Sequence, residues 1–289
     1  MNASADQIPS VKEIVEPLNR YFHNPIAGKI VKILMHTRVT PDQVTYASVF
    51  IGLISAYYFS EGTMSSFFLA AILLELVMIL DCADGQLARA KGCASDWGRL
   101  LDGIAGYIIY LAVLIGIMLG LGKHYLALSV IGLLTILRAI SYDYCKLTMI
   151  TMIQKGYDGN QKEVLDTYMK IMNTSSPLLK IYYYYLQLQQ FIFYGRLTSL
   201  HQFSESFYPD GKSGVLSPDQ RETYRKKISV LMTVWSWSGV DLPIFLLVLV
   251  SVLGMLEVSL SPLACLLVLQ FVVTMIFHRI KIQDVLEIK

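Results

Sequence analysis

The sequence predicts an all-α integral membrane protein: six transmembrane helices preceded by an amphipathic N-terminal interfacial helix. Three observations carry that prediction. Hydrophobic residues make up 54% of the 289 residues and charged ones only 16%, against roughly 25% charged in soluble domains, and the mean hydropathy is +0.51. Six apolar stretches are long enough to cross a bilayer core, which takes about 20 helical residues. The basic residues gather on one side of those stretches.

Taken in order, residues 1–41 form the N-terminal segment. Residues 1–24 are too polar for a signal peptide, and about 10–37 mix apolar residues with Lys12, Arg20, Lys29 and Lys32, the pattern of a helix lying on a membrane surface. Thr40 is placed to cap the first span, with Pro41 at its first helical position. Spans are expected at about 42–60, 65–87, 97–120 and 125–147, the first four forming one block over 42–147. An insertion follows at 148–226. Its run Tyr182 to Tyr185 suits the headgroup level, so it reads as helices on the membrane face, with a separate cytosolic subdomain as the other reading. Ser217-Pro218-Asp219-Gln220 resembles a capping box leading into span five. The last block, 227–289, holds spans at about 228–254 and 260–279 and a tail. The loops at about 61–64, 121–124 and 255–259 carry one basic residue, Lys123, while nearly all others lie opposite. The positive-inside rule then places both termini, and the mouth around Arg89 to Asp96, in the cytoplasm.

The composition also excludes some functions. A net charge of +2 gives no support to nucleic-acid binding. Cys82, Cys93, Cys145 and Cys265 form no CxxC or Cys/His cluster, which argues against a disulfide framework or zinc site and for buried thiols.

The chemistry concentrates in DCADGQLARAKGCASDWGRLLDGIAGY, residues 81–107. Asp81 and Asp84 stand i, i+3 at the end of span two and share a helix face. Gly85 and Ala88 continue that face with almost no side chain, and Arg89 follows. Span three opens with Gly98 and Asp102, i, i+4. A loop of about ten residues turns the spans antiparallel, so Asp102 approaches the pair. Carboxylates converging in a low-dielectric layer repel one another. A hard divalent ion such as Mg²⁺, Mn²⁺ or Ca²⁺ would relieve this and hold a diphosphate.

Those residues resemble the signature of the CDP-alcohol phosphotransferase family, D-x2-D-G-x2-A-R-x8-G-x3-D-x3-D. Asp81, Asp84, Gly85, Ala88, Arg89, Gly98 and Asp102 fill seven of its eight fixed positions. Asn24-Pro25, Thr40-Pro41 and Val44-Thr45 resemble the family's entry into its first span. The resemblance covers about residues 20–147 and leaves the insertion outside. It implies a membrane transferase of lipid synthesis that cleaves a CDP-alcohol, passes the phosphoalcohol to a hydroxyl acceptor and releases CMP. It implies two Mg²⁺ or Mn²⁺ ions on Asp81, Asp84 and Asp102, a nucleotide site lined by Gly85, Ala88 and Gly98 with Arg89 beside it, and a homodimer.

The eighth position is Gly106, where the family's general base stands. Asp143 and Asp96 are the candidates to replace it. Three readings follow: an enzyme with a relocated base, a weakened enzyme, or a non-catalytic relative that binds CDP-alcohol and metal. Further ionisable residues lie inside the spans, where they are expensive and face protein or a cavity. Arg138 is expected either to receive an anionic group of the acceptor or to pair with Asp241. Glu75 is expected to face another helix or a second copy. An ion transporter using Glu75, Arg138 and Asp241 is a further reading. His124, His201 and His278 are expected at the interface.

Overall fold

The computed structural model describes residues 12–174, 177–194 and 215–286, apart from the side chains of Lys12, Asp96, Arg99, Leu100, Leu178, Tyr194 and residues 283–286. Among the described residues every regular element is helical. A 3-10 turn (Lys12–Ile14) and a π-helical turn (Asn19–His23) lead into α1 (Asn24–Leu34). The chain continues through α2 (Pro41–Ser60), α3 (Met64–Ala90), α4 (Asp96–Leu121), α5 (Tyr125–Lys155), α6 (Gly159–Asn173), α7 (Pro177–Tyr194), α8 (Pro218–Ser236), α9 (Asp241–Val252) and α10 (Leu256–Leu286).

Local chemistry sets these boundaries. Thr40 caps α2 as the sequence predicts: its hydroxyl accepts from the Gln43 amide, and the Gln43 side chain accepts from the Thr40 amide. Thr63 and Ser66 do the same for α3, and Ser217 and Gln220 for α8. Each box satisfies two amides that a helix start otherwise leaves bare. α5 runs to Lys155, beyond the expected end at 147. Nothing stops it before Gly156, whose φ of 79° favours glycine. Asp158 then caps α6 through the Asn160 and Gln161 amides.

Among the described residues, five helical segments are long and apolar enough to cross a membrane: Met64–Ala90, Leu101–Leu121, Tyr125–Lys155, Pro218–Val252 and Leu256–Ile282. The expected first span is the 20-residue helix α2, which is not among the five. Thr45, Ser48 and Ser55 are buried along it, and Ser55 donates to the Ala70 carbonyl at 2.8 Å. Its polarity is spent on neighbouring helices. The expected fifth span is two helices, α8 and α9, separated at 237–240 by a turn through Gly239.

The chain divides into two compact units. One comprises Val15–Arg138 and Gly239–Phe271; the other comprises the described residues within 1–14, 139–238 and 272–289. In the first unit, α2 lies between α3 and α4, around a core containing Phe59, Leu74, Val113 and Ile117. Cβ atoms at Gly116 and Gly120 would run into the Ala56 and Phe59 carbonyls, so α4 meets α2 backbone to backbone. Small residues permit such approach, which drives helix association where lipid removes the hydrophobic advantage.

The expected interfacial helix is α1, and it packs on α3: Ala27 and Val31 are buried with Ala83 and Leu87, while Lys29, Lys32 and Ile33 remain exposed. In the other unit, Met149, Ile153, Ile228, Leu231 and Trp235 form the core. His278, expected at the interface, is buried there and accepts from the Trp235 indole at 3.1 Å. His201 lies outside the described residues. The thiols depart from the expected burial: Cys145 is buried and Cys82 half-buried, but Cys93 and Cys265 are exposed.

Candidate functional site

The end of α3, the start of α4 and the start of α2 meet in the first unit, and each contributes acidic or hydroxyl groups. Helical periodicity turns Asp81, Asp84 and Ala88 to one side of α3. Asp84 is 4% exposed, and its Oδ2 accepts from the Thr45 hydroxyl at 2.5 Å. Thr45 is itself buried, and Ser48 donates to its carbonyl at 2.7 Å. Asp81, which is exposed to solvent, lies within hydrogen-bonding reach of the Asp102 carboxyl from α4. Asp84 is near enough to feel both charges. The three aspartates therefore come together, but unequally: Asp81 meets Asp102, while Asp84 is held by Thr45.

Around them the small residues leave room. Gly85 and Ala88 are half-buried. The Arg89 guanidinium folds back over Gly85, with one terminal nitrogen 3.4 Å from where a Cβ would stand, and it lies near the Asp84 charge. The Gly98 amide donates to the Ser95 hydroxyl, which caps α4. A Cβ on Gly98 would lie 3.9 Å from Oδ1 of Asp42, so the first turn of α2 brings a fourth carboxylate to this mouth. Gly106 is exposed, and a Cβ there would meet nothing within 4 Å.

Among the described residues no three His, Cys, Asp or Glu side chains are gathered tightly enough to ligate one ion as they stand. The donor set nevertheless suits a divalent ion. Asp81 and Asp102 are hard oxygen donors within interaction range of each other, an arrangement of like charges that a cation or a shared proton relieves.

The other expected residues are placed as follows. Arg138 is fully buried: its Nε donates to the Gly239 carbonyl at 3.3 Å, another guanidinium nitrogen donates to the Gln270 side chain, and Glu16 is within electrostatic range. The structure thus encloses Arg138 among the protein's own groups. The Asp241 amide donates to Glu16 at 3.0 Å. Asp143 is exposed on α5 in the other unit, near Lys146. Asp96, expected in the loop, is the first residue of α4. Glu75 faces a helix: its Oε1 meets His23 Nε2 at 2.8 Å, and His23 Nδ1 meets the Asn19 side chain at 3.1 Å.

Sequence reasoning did not reach Thr45, Asp42 or the His23–Glu75 pair as parts of this assembly. The pattern T-P-D-Q-V-T carried a signal for the first two, since Asp42 and Thr45 are i, i+3 on a helix start. His23 has none, because only the packing of α1 on α3 brings it to Glu75.

The chain is similar to several known proteins. The family model for CDP-alcohol phosphatidyltransferase matches residues 38–199. The match reaches through α6 and α7, part of the insertion that the motif resemblance left outside. The archaetidylinositol phosphate synthase of Pyrococcus horikoshii is 36% identical over 92 residues, 32% of this chain and 47% of the relative. The bifunctional IPC transferase and DIPP synthase of Thermococcus kodakarensis is 37% identical over 87 residues, 30% of this chain and 19% of the relative. That of Rubrobacter xylanophilus is 28% identical over 108 residues, 37% of this chain and 24% of the relative. The chain spans about half or less of the length of these relatives.

Proposed function

Because the chain belongs to the CDP-alcohol phosphatidyltransferase family, we propose that it moves a phosphoalcohol group from a CDP-alcohol to a hydroxyl acceptor and releases CMP, in lipid biosynthesis. The observation that supports this most is the meeting of Asp81 and Asp102 from two helices, with Asp84 beside them on Thr45. Asp81, Asp84 and Asp102 would hold Mg²⁺ or Mn²⁺, which when bound supplies charge neutralisation for the diphosphate. Gly85, Ala88 and Gly98 keep the helix surfaces low enough for a nucleotide to lie against them. Arg89, over Gly85, adds a cation at the mouth. Thr45 holds the Asp84 carboxylate against the charges of Asp81 and Asp102.

The proton of the acceptor hydroxyl needs a base, and Gly106 supplies none. Asp42 is our candidate, since its carboxylate faces Gly98. The named activity of the Pyrococcus horikoshii relative makes an inositol phosphate a suitable first acceptor to test. We further propose that α2 completes six crossings, because 20 helical residues span about 30 Å. The gathering of basic residues on one side supports a cytoplasmic position for both termini and this mouth.

The open space at Gly106 supports a second reading, a protein that binds CDP-alcohol and metal without turnover. One experiment separates the two. Purified protein is given Mg²⁺ or Mn²⁺, CDP-linked lipids and inositol phosphate, and CMP release is followed in the wild type, Asp81→Asn and Gly106→Asp. Transferase activity predicts metal-dependent CMP release that Asp81→Asn abolishes. A positioned general base contributes about 10²–10⁴-fold, so Gly106→Asp raises the rate within that range if Asp42 substitutes poorly. Release only from Gly106→Asp establishes the binding reading for the wild type; release from neither overturns the transferase.

A further inference from the structure

The second unit contains a cleft of about 420 Å³ between the end of α5, α6 and α7, lined by Lys155, Tyr157, Lys162, Glu163, Asp166 and Lys170 among others. It is built from the turn that ends α5. Gly156 reverses the chain, Asp158 caps α6, and Tyr157 is left between Lys155 and the first turn of α6. The ammonium groups of Lys155 and Lys162 sit 5.9 and 5.4 Å from the centre of the Tyr157 ring. One aromatic ring thus takes a cation–π contact from each of two lysines. Lys170 lies two turns further along α6 from Lys162 and reaches the same cleft.

Among the described residues none of the three lysines enters an ion pair. Of the two acids, Glu163 accepts the Tyr182 hydroxyl at 2.6 Å. The lining therefore carries three ammonium groups outside any ion pair beside two carboxylates. The volume falls in the range of small-molecule sites, about 300–1,000 Å³.

We propose that this cleft binds an organophosphate, with the phosphate on Lys155, Lys162 and Lys170 and its hydroxyl-bearing part toward Glu163 and Asp166. Lysine binds phosphate as a point charge, and the acids exclude a ligand that is anionic throughout. The cleft begins at the last residue of the apolar helix Tyr125–Lys155. The phosphate is therefore that of an anionic lipid headgroup or of a soluble phosphate ester. This site includes none of the three aspartates and does not depend on the transferase reading.

The test uses the full chain in phosphatidylcholine nanodiscs. Glycerol 3-phosphate is titrated calorimetrically in one arm. In the other, phosphatidate replaces part of the nanodisc lipid and the bound lipid is counted by native mass spectrometry. Binding of either probe is expected, with at least tenfold loss in the double variant Lys162→Gln, Lys170→Gln and no loss in Lys226→Gln, an exposed lysine elsewhere in the same unit. Restoration by Lys162→Arg, Lys170→Arg is expected, and it separates lost charge from lost folding. Binding of only one probe identifies the source of the phosphate. Binding of neither, or equal weakening by Lys226→Gln, overturns the proposal.

Discussion

Replacing His23 by leucine removes the partner of a carboxylate held inside the protein. His23 and Glu75 are 1% and 17% exposed in their side chains, and their Nε2–Oε1 distance of 2.8 Å falls in the charge-assisted range. The second oxygen, Glu75 Oε2, is buried without a hydrogen bond among the described residues. His23→Leu therefore leaves a carboxylate with nothing to answer it, which costs about 3–5 kcal/mol when the pair is ionic. At roughly 2–4 °C per kcal/mol for units of this size, the midpoint should fall by about 6–20 °C. Replacing both members, His23→Leu with Glu75→Leu, should recover most of that loss, because two apolar groups of similar volume need no partner. The assay is thermal unfolding of the detergent-solubilised chain by fluorescence-detected size exclusion, run as a double-mutant cycle. A single variant melting within about 2 °C of wild type, less than 1 kcal/mol on that scale, refutes the reasoning. So does a double variant no more stable than either single.

Two further outcomes follow from the same unit. Thr45→Val keeps the shape but removes the donor to Asp84; with hydrogen bonds to charged groups worth about 1.5–3 kcal/mol, melting and metal affinity should both fall, whereas unchanged metal affinity would show that Thr45 only fills space. Gly116→Val forces α4 away from the Ala56 carbonyl, and overpacking of this kind costs about 1–3 kcal/mol; an unshifted melting curve would contradict the backbone-to-backbone contact.

What could be read in the chain was local. Asp81, Asp84, Gly85 and Asp102 declared themselves by spacing, because helical geometry turns i, i+3 and i, i+4 into shared faces. The caps at Thr40 and Ser217 were equally visible, since each motif is complete within four residues. The partners of those aspartates were not, because Thr45 and Asp84 are 39 residues apart and their bond depends on how α2 seats against α3. Glu75 was expected to face a helix or a second copy, but nothing in the sequence singles out His23, 52 residues away. The break between α8 and α9 was missed because hydropathy averages over a turn: Trp237 and Val240 keep the stretch apolar across the turn that follows Ser236.

The glycine contact between α2 and α4 bears on how the molecule admits anything bulky. Gly116 and Gly120 fasten the two rods at one extremity. Asp102 lies 14 residues from Gly116 along α4, about 21 Å at 1.5 Å per residue. Because the glycine crossing is that far away, a change of angle there would shift Asp102 relative to Asp42 more than the same change at a nearer contact, such as that of Gly52 with Ile109.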